Sequence, residues 1–158
     1  MFEIRAPLFS VIGHYSKNLQ LILSGTPTIL LGIRQDRFDN IRLAAGMMEL
    51  WGTNTATQWL PDGFETGIHL DCDTACRMLC FYAKHKGELE DFRRVGIKSV
   101  TISSRGDDRC CDECRKLRGK TFSVKQVPEL PNPLCTSDGG CRCMMLADFA
   151  SMEREMPG

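Results

Sequence analysis

The cysteines near the C-terminus constrain the fold of this chain more than any other feature of its sequence. They follow the order Cys-x2-Cys, a gap of twenty residues, and Cys-x5-Cys-x-Cys, and the five residues are Cys111, Cys114, Cys135, Cys141 and Cys143. A Cys-x2-Cys turn places two thiolates on one edge of a tetrahedral Zn²⁺ site, and a second cluster that returns through a hairpin supplies the opposite edge. The spacing therefore predicts a structural zinc site built from four of these five residues, and it leaves open which four bind.

The cellular compartment of the protein determines whether its cysteines are expected to form disulfides or to remain thiols. Glu3 and Pro7 interrupt the first residues, which do not resemble a secretory signal. The apolar stretch 19–33 is broken by Gly25 and Pro27 and is too short to span a bilayer. We therefore expect a cytoplasmic protein without a membrane partner, and a reducing compartment favours metal ligands or buried thiols over disulfides.

A redox or catalytic role is less consistent with the sequence than a structural one. Asp112 and Glu113 lie inside the Cys-x2-Cys motif, where their negative charges would raise the pKa of the thiols and disfavour thioredoxin-type chemistry. Catalytic zinc sites keep one position open and usually include histidine, yet all three histidines precede the cysteines. Since the chain also shows no carboxylate pair, nucleophile elbow or phosphate loop, we expect a protein that is not an enzyme.

A second group of cysteines lies upstream with the spacing Cys-x3-Cys-x3-Cys, at Cys72, Cys76 and Cys80. On a continuous helix these sulfurs climb over two turns along one face and do not converge on one ion. They share that face with Leu79 and Ala83, so the pattern predicts buried thiols in a core and not a second metal site or an iron–sulfur cluster.

The rest of the chain predicts an α+β fold, with a helical body and a small C-terminal zinc-bound β-hairpin module of the zinc-ribbon or knuckle type. We divide it into an N-terminal helix and strand segment (1–60), a helical pair (64–96) and a cysteine-rich zinc-hairpin module (97–158). Residues 19–33 are predicted to form two short strands around a turn at Gly25, and so short an apolar run is also compatible with a buried helix fragment. A helix is predicted over 38–52, a loop over 52–69, and further helices from Asp71 to the region of Gly87 and over 88–95. Strands are predicted in 96–104 and 120–127, followed by a short final helix carrying Met145, Phe149, Met152 and Met156. We expect Asp39 or Asn40 to cap the helix over 38–52 and Gly52 to end it.

The charge of the chain gives a local indication only, because twenty basic residues balance twenty acidic ones. The cysteine hairpin itself is basic, and its candidate phosphate contacts are Arg115, Lys116, Arg118 and Lys120. This supports an alternative function, zinc-dependent binding of a nucleic acid. No aromatic residues alternate with these side chains, however, and basic residues would also offset the negative charge of a zinc–thiolate site.

The stretch 107–122, followed by Pro131 and by Gly-Cys-Arg-Cys at 140–143, resembles the C-terminal cysteine motif of the phage Mu F-type minor head (head morphogenesis) proteins. The residues that fit the motif are Asp107, Asp108, Arg109, Cys111, Cys114, Leu117, Gly119, Lys120, Phe122, Pro131, Cys141, Arg142 and Cys143. The resemblance covers the last third of the chain. Family members commonly carry His-Pro before the Cys-Arg-Cys, where this chain has Gly139-Gly140 and an added Cys135, and residues 1–95 do not match the longer helical body of the family.

The resemblance implies association with a phage or prophage in a bacterial host and a role in head assembly. The expected partner is then a protein, such as a phage structural protein, that binds a surface stabilised by the metal hairpin. The expected function is a non-enzymatic, zinc-binding protein that supports protein–protein interaction.

Overall fold

The computed structural model of the chain describes residues 13–153, and over this range the fold is α+β, as the sequence predicts. The helices are α1 (Gly13–Ser24), α2 (Gln35–Trp51), α3 (Cys72–Arg94), α4 (Asp112–Leu117) and α5 (Ala150–Glu153), with 3-10 turns at Thr28–Leu30 and Thr57–Trp59. The strands are β1 (Ser99–Ser103), β2 (Thr121–Ser123) and β3 (Met144–Ala147). None of the described helices is both long and apolar enough to cross a membrane.

Helices α1, α2 and α3 pack against one another and form the body of the protein. The predicted amphipathic helix is confirmed as α2, whose buried face carries Ile41, Ala44, Ala45 and Met48. It ends at Gly52, which adopts the left-handed conformation (φ 66°) that glycine provides at helix ends. The predicted cap residues, Asp39 and Asn40, are wrong. The helix begins earlier, at Gln35, with Arg34 as its N-cap in extended conformation, and the buried Phe38 lies in its first turns. Trp51, predicted on the buried face, is 70% exposed.

The two strands predicted in 19–33 are wrong. Helix α1 continues to Ser24, and Pro27 precedes a single 3-10 turn, Thr28–Leu30. Ile22 and Leu30 are fully buried in the core of the helical body. Short apolar runs have no readable period, so their packing and not their local pattern decides between helix and strand.

Helix α3 is one continuous element where the sequence predicts a helical pair. It begins after Asp71, whose carboxylate accepts a hydrogen bond from the Thr74 N–H (2.8 Å). It continues through Gly87, which is buried, and a Cβ at that position would lie 3.3 Å from Oδ1 of Asn18 on α1. This glycine therefore serves the close approach of two helices and does not end one.

The upstream cysteines lie on α3 and each sulfur approaches a backbone carbonyl. The three distances are 3.3 Å from Cys72 Sγ to Phe64 O, 3.8 Å from Cys76 Sγ to Ile41 O and 3.5 Å from Cys80 Sγ to Ala45 O. Cys76 belongs to the hydrophobic core and Cys80 packs against it, as the sequence predicts. Burial raises the pKa of both thiols, that of Cys80 to about 12.

The sheet has the order β2-β1-β3, and both pairings are antiparallel. The strands predicted in 96–104 and 120–127 are confirmed as β1 and β2, which are shorter than those ranges. Val100 and Ile102 are buried on one face of β1. Helix α3 contacts β3, so the sheet packs against this helix of the body.

The final predicted helix is wrong over its first part, residues 145–149. Met144–Ala147 is strand β3, and Met145 lies opposite Ile102 of β1 with 7% of its surface exposed. The apolar spacing of Met145 and Phe149 is compatible with a helix, but pairing with β1 overrides that local preference and leaves Phe149 68% exposed. Within the described residues one helical turn, α5, follows, and Met156 lies outside them.

Candidate metal centre

The first two cysteines of the site lie in the connection between β1 and β2. Cys111 is the N-cap residue of the short helix α4, and Cys114 lies in its first turn with 3% of its surface exposed. Asp112 and Glu113 occupy the first turn as well, where negative charge suits the N-terminus of a helix. The Cys-x2-Cys motif is thus held on one helical turn, with both side chains available to one site.

The other three cysteines lie in the segment 128–143, which has no regular helix or strand and leads directly into β3. Local turns shape it: Cys135 N–H donates to Asn132 O (3.0 Å), and Gly140 N–H donates to Ser137 O (3.0 Å). Gly140 has a positive φ of 79°, and a Cβ there would lie 2.8 Å from Met78 Cε on α3. A glycine at this position lets the loop lie directly on the long helix.

The structure brings Cys111, Cys114, Cys135, Cys141 and Cys143 into one cluster. Their sulfurs form two triads that share Cys114: one adds Cys111 and Cys135, the other adds Cys141 and Cys143, and the sulfurs within each triad lie within 4.8 Å of one another. The Cys111–Cys135 and Cys114–Cys141 separations are 3.8 and 3.9 Å. A Zn–S bond of about 2.3 Å gives a tetrahedron with edges of about 3.8 Å, so these groups are arranged as a metal ion requires.

The cluster is closed to solvent. Four of its residues are at most 3% exposed, and only Cys111 is half-buried. A groove of about 830 Å³ between α3 and the loops around the cluster is lined by Cys110 and Cys111 and offers a route to the site. Cys110 belongs to neither triad; its sulfur instead approaches Ser104 Oγ (3.9 Å) and Cys111 O (3.6 Å).

Asn132 supplies hydrogen-bond donors to the sulfurs. Its backbone N–H lies 3.2 Å from Cys141 Sγ and its side-chain Nδ2 lies 3.6 Å from Cys114 Sγ. The side chain is buried, and its Oδ1 accepts from Leu134 N–H (3.1 Å), which fixes the orientation of the amide. Donors aimed at sulfur favour the thiolate, the form that binds metal. Sequence reasoning missed Asn132, since no local pattern distinguishes it from an ordinary turn residue.

The thiols of the cluster shift one another's pKa values. Burial opposes ionisation of Cys111, but hydrogen bonds from the backbone of Thr136 and Cys114 outweigh it and lower the pKa to about 7. A hydrogen bond with Cys114 is the largest cause of a lowered pKa at Cys141, and contacts with Cys114 raise the pKa of Cys135 and Cys143. Thiolates this close together repel one another, so a bound cation favours full deprotonation of the cluster.

His85 of α3 is a neighbour of the cluster that the sequence order conceals. It is 8% exposed and lies beside the backbone of Cys143. Its Nδ1 has no hydrogen-bond partner in the described part of the chain, and Glu88 Oε2 lies 3.7 Å from it. Burial lowers the pKa of this imidazole. His85 is a member of neither triad, so the described candidate ligands remain cysteines alone.

An ion pair joins the two segments that carry the cysteines. Arg142, between Cys141 and Cys143, contacts both carboxylate oxygens of Asp107 at 2.6 and 3.1 Å. This hydrogen bond is the main reason that the pKa of Asp107 is lowered. Ser137 Oγ donates to Arg109 O (3.0 Å) across the same junction. The two-point Arg–carboxylate contact fixes the orientation of one segment on the other.

The basic residues proposed as phosphate contacts lie on α4 and just beyond it. Arg115 pairs with Asp112 (3.0 Å) and Lys116 with Glu113 (2.7 Å), each on the same helix. The Arg118 guanidinium packs so closely on Gly106 that a Cβ there would clash with it. Lys120 is exposed. Two of the four charges therefore already have carboxylate partners, which reduces the positive potential available to a phosphate backbone.

Comparison with protein-family models, with curated proteins and with solved structures found no match to this chain. The similarity of the cysteine motif to the minor head proteins thus stays a prediction from the residues. Asp107 and Arg142, two of the residues on which that prediction depends, form the ion pair across the site.

Proposed function

We propose that this chain is a zinc-binding protein in which four cysteines of the cluster hold one Zn²⁺ as a structural ion. The observation that carries the proposal is the convergence of five cysteines, from two segments twenty residues apart, on one closed site. Cys111, Cys114, Cys135, Cys141 and Cys143 supply only sulfur, which suits a soft or borderline ion. A closed, all-sulfur site without an open position is typical of structural zinc and not of catalytic zinc.

The ion would contribute folding free energy. The sheet consists of three short strands, and the segment 128–143 has no backbone ladder of its own. Zinc would join this segment to the β1–β2 connection in the manner of a zinc ribbon or knuckle. Because the ligands are not preformed in the unfolded chain, the free energy of metal binding becomes free energy of folding.

The stabilised module would serve as a binding surface for another protein. Its resemblance to the minor head proteins favours a phage structural protein as the partner and assembly of a phage head as the setting. The paired charges of Arg115 and Lys116 favour this interpretation over nucleic-acid binding, since they leave less free positive charge on the hairpin.

The test is the metal content of the full chain, purified under reducing conditions and measured by elemental analysis for zinc and iron. We expect one zinc per chain and no iron. Removal of zinc with a chelator should then expose the amides of 97–147 to hydrogen exchange, while α2 stays protected. A purified protein without stoichiometric metal would overturn the proposal.

A further inference from the structure

The number of sulfurs in the cluster exceeds what one tetrahedral ion uses. A zinc ion takes four ligands and must draw them from both triads, which leaves one thiol without a metal bond. The sulfurs, however, are already grouped as two sets of three with Cys114 in common. This grouping raises the question of a second ion.

The distances between sulfurs fit both a single ion with four ligands and two ions with three ligands each. For a metal–sulfur bond of about 2.3 Å, three sulfurs in a plane around an ion lie about 4.0 Å apart, and four in a tetrahedron about 3.8 Å apart. The measured separations, 3.8 Å for Cys111–Cys135 and 3.9 Å for Cys114–Cys141, are compatible with both. The grouping of the sulfurs, and not their spacing, therefore distinguishes one ion from two.

The chemistry of the ligands favours a soft monovalent ion for such triads. Thiolates select Cu(I) as well as zinc, and Cu(I) is commonly held by three thiolates in a plane. A thiolate has lone pairs enough to bridge two ions, and Cys114 is the residue in the bridging position. Zinc, which requires a fourth ligand, is less well suited to an isolated triad.

The surroundings can offset the resulting charge. Two Cu(I) ions on five thiolates leave three negative charges, one more than Zn²⁺ on four thiolates leaves. Arg105, Arg109 and Arg142 line the small space around the cluster. Asp107 engages Arg142, so Arg105 and Arg109 carry most of the compensating charge.

We infer that the five-cysteine cluster takes two monovalent soft ions of the Cu(I) class, one in each triad, with the Cys114 thiolate as the bridge. Binding displaces into solvent the protons that the five cysteines still carry and involves no change of oxidation state. The inference rests on the proposed function, because both require that these cysteines bind metal, but it concerns how many ions the cluster holds and of which class.

The test is a titration of the reduced, metal-free full chain with Cu(I), under nitrogen, against the chromophoric chelator bathocuproine disulfonate. We expect two Cu(I) ions per chain to be withheld from the chelator, with the luminescence that solvent-shielded Cu(I)–thiolate clusters show. Zinc, measured in a separate titration, should bind with a stoichiometry of one.

Variants assign each ion to its triad. Cys143→Ser removes a member of the second triad only and should retain one Cu(I) against the chelator, and Cys111→Ser should do the same through the first triad. Cys110→Ser is the matched control, because Cys110 is a buried neighbour of Cys111 that belongs to neither triad. It should retain two ions.

The wild-type stoichiometry decides the inference even where a variant fails to fold. One Cu(I) per chain, or an equal loss in Cys110→Ser and Cys143→Ser, would overturn it. One zinc together with one Cu(I) would leave the proposed function intact and remove only the two-ion cluster. A chain that binds neither metal would contradict both.

Discussion

The cysteines of helix α3 and those of the C-terminal cluster have the same chemistry but opposite surroundings. Each sulfur of Cys72, Cys76 and Cys80 approaches a carbonyl oxygen, which accepts a proton from a neutral thiol. The sulfurs of the cluster approach one another and the N–H groups of Asn132, which donate to a thiolate. The partners of a sulfur, more than its burial, thus separate a packing thiol from a candidate metal ligand.

The largest expected effect, on zinc content and stability, comes from a test that replaces one cysteine from each group. Cys114→Ser should remove the metal, because Cys114 belongs to both triads, and the module should unfold with the loss of binding free energy that is of order 10 kcal/mol for structural zinc. The measurement is zinc per chain together with hydrogen exchange of the sheet.

Cys76→Ser is the paired variant in the core of the helical body. A hydroxyl group buried in place of the thiol should cost about 1 to 3 kcal/mol of unfolding free energy, with zinc content unchanged. Equal loss of zinc in the two variants would show that the division between the two groups of cysteines is wrong.

Gly140→Ala tests how closely the metal loop must lie on α3. The positive φ of 79° and the contact with Met78 should together cost about 1 to 3 kcal/mol, read as a lower denaturation midpoint of the zinc-loaded protein. Gly139→Ala is the matched control, since its nearest atom is Ser137 Oγ at 3.9 Å and its φ is not positive. Similar midpoints for the two variants would mean that the loop does not depend on this contact.

Asp107→Asn tests the ion pair that joins the two cysteine-bearing segments. Loss of the charge should weaken the contact with Arg142 and let a chelator extract zinc a few times faster. Because salt screens the ion pair of the wild type, high salt should reduce the difference in extraction rate between wild type and variant. Asp108→Asn changes the same charge at the next residue, which is exposed and makes no such pair in the described chain, and should leave the rate unchanged.

Asp71→Ala should have the smallest effect on the free energy of unfolding, and it should destabilise only the helical body. The carboxylate caps α3, and its removal should cost about 0.5 to 1 kcal/mol, whereas Asp71→Asn should keep most of the cap. The backbone hydrogen bond from Thr74 lowers the pKa of Asp71 below 3.8, so its contribution is present above pH 3.8 and is lost as the pH falls through the folded value. Unfolding free energies of wild type and Asp71→Ala should therefore converge in acid, and a constant difference would contradict the role of the charge.

The features that the sequence predicts well are those set by neighbours along the chain. The face of α2, the alternation of Val100 and Ile102 in β1 and the Cys-x2-Cys turn at α4 all depend on local periodicity. The wrong or missing predictions depend on distant contacts. Gly87 lies inside a helix at a point where Asn18 of α1 comes close, and Met145 lies in a strand because β1 pairs with it.

The metal site also combines features set by the local sequence with features set by distant contacts. Cysteine spacing selects the residues that converge, but the donors of Asn132 and the position of His85 beside Cys143 arise from the tertiary fold. No local pattern indicates that His85, which lies on the long helix upstream of the cluster, is a neighbour of Cys143. A single sequence therefore gives the candidate ligands more readily than the residues that orient them.

Cys143 is followed directly by Met144, the first residue of β3, so a metal bound to it would also set the register of that strand. An inserted residue between the last cysteine and the strand would shift every β3 side chain to the opposite face, exposing Met145 and burying Leu146. An insertion beside the exposed Gln126, between β2 and the segment 128–143, would be absorbed without changing the pairing. Related sequences should then vary in length around residue 126 but keep a fixed distance from the final cysteine to the strand.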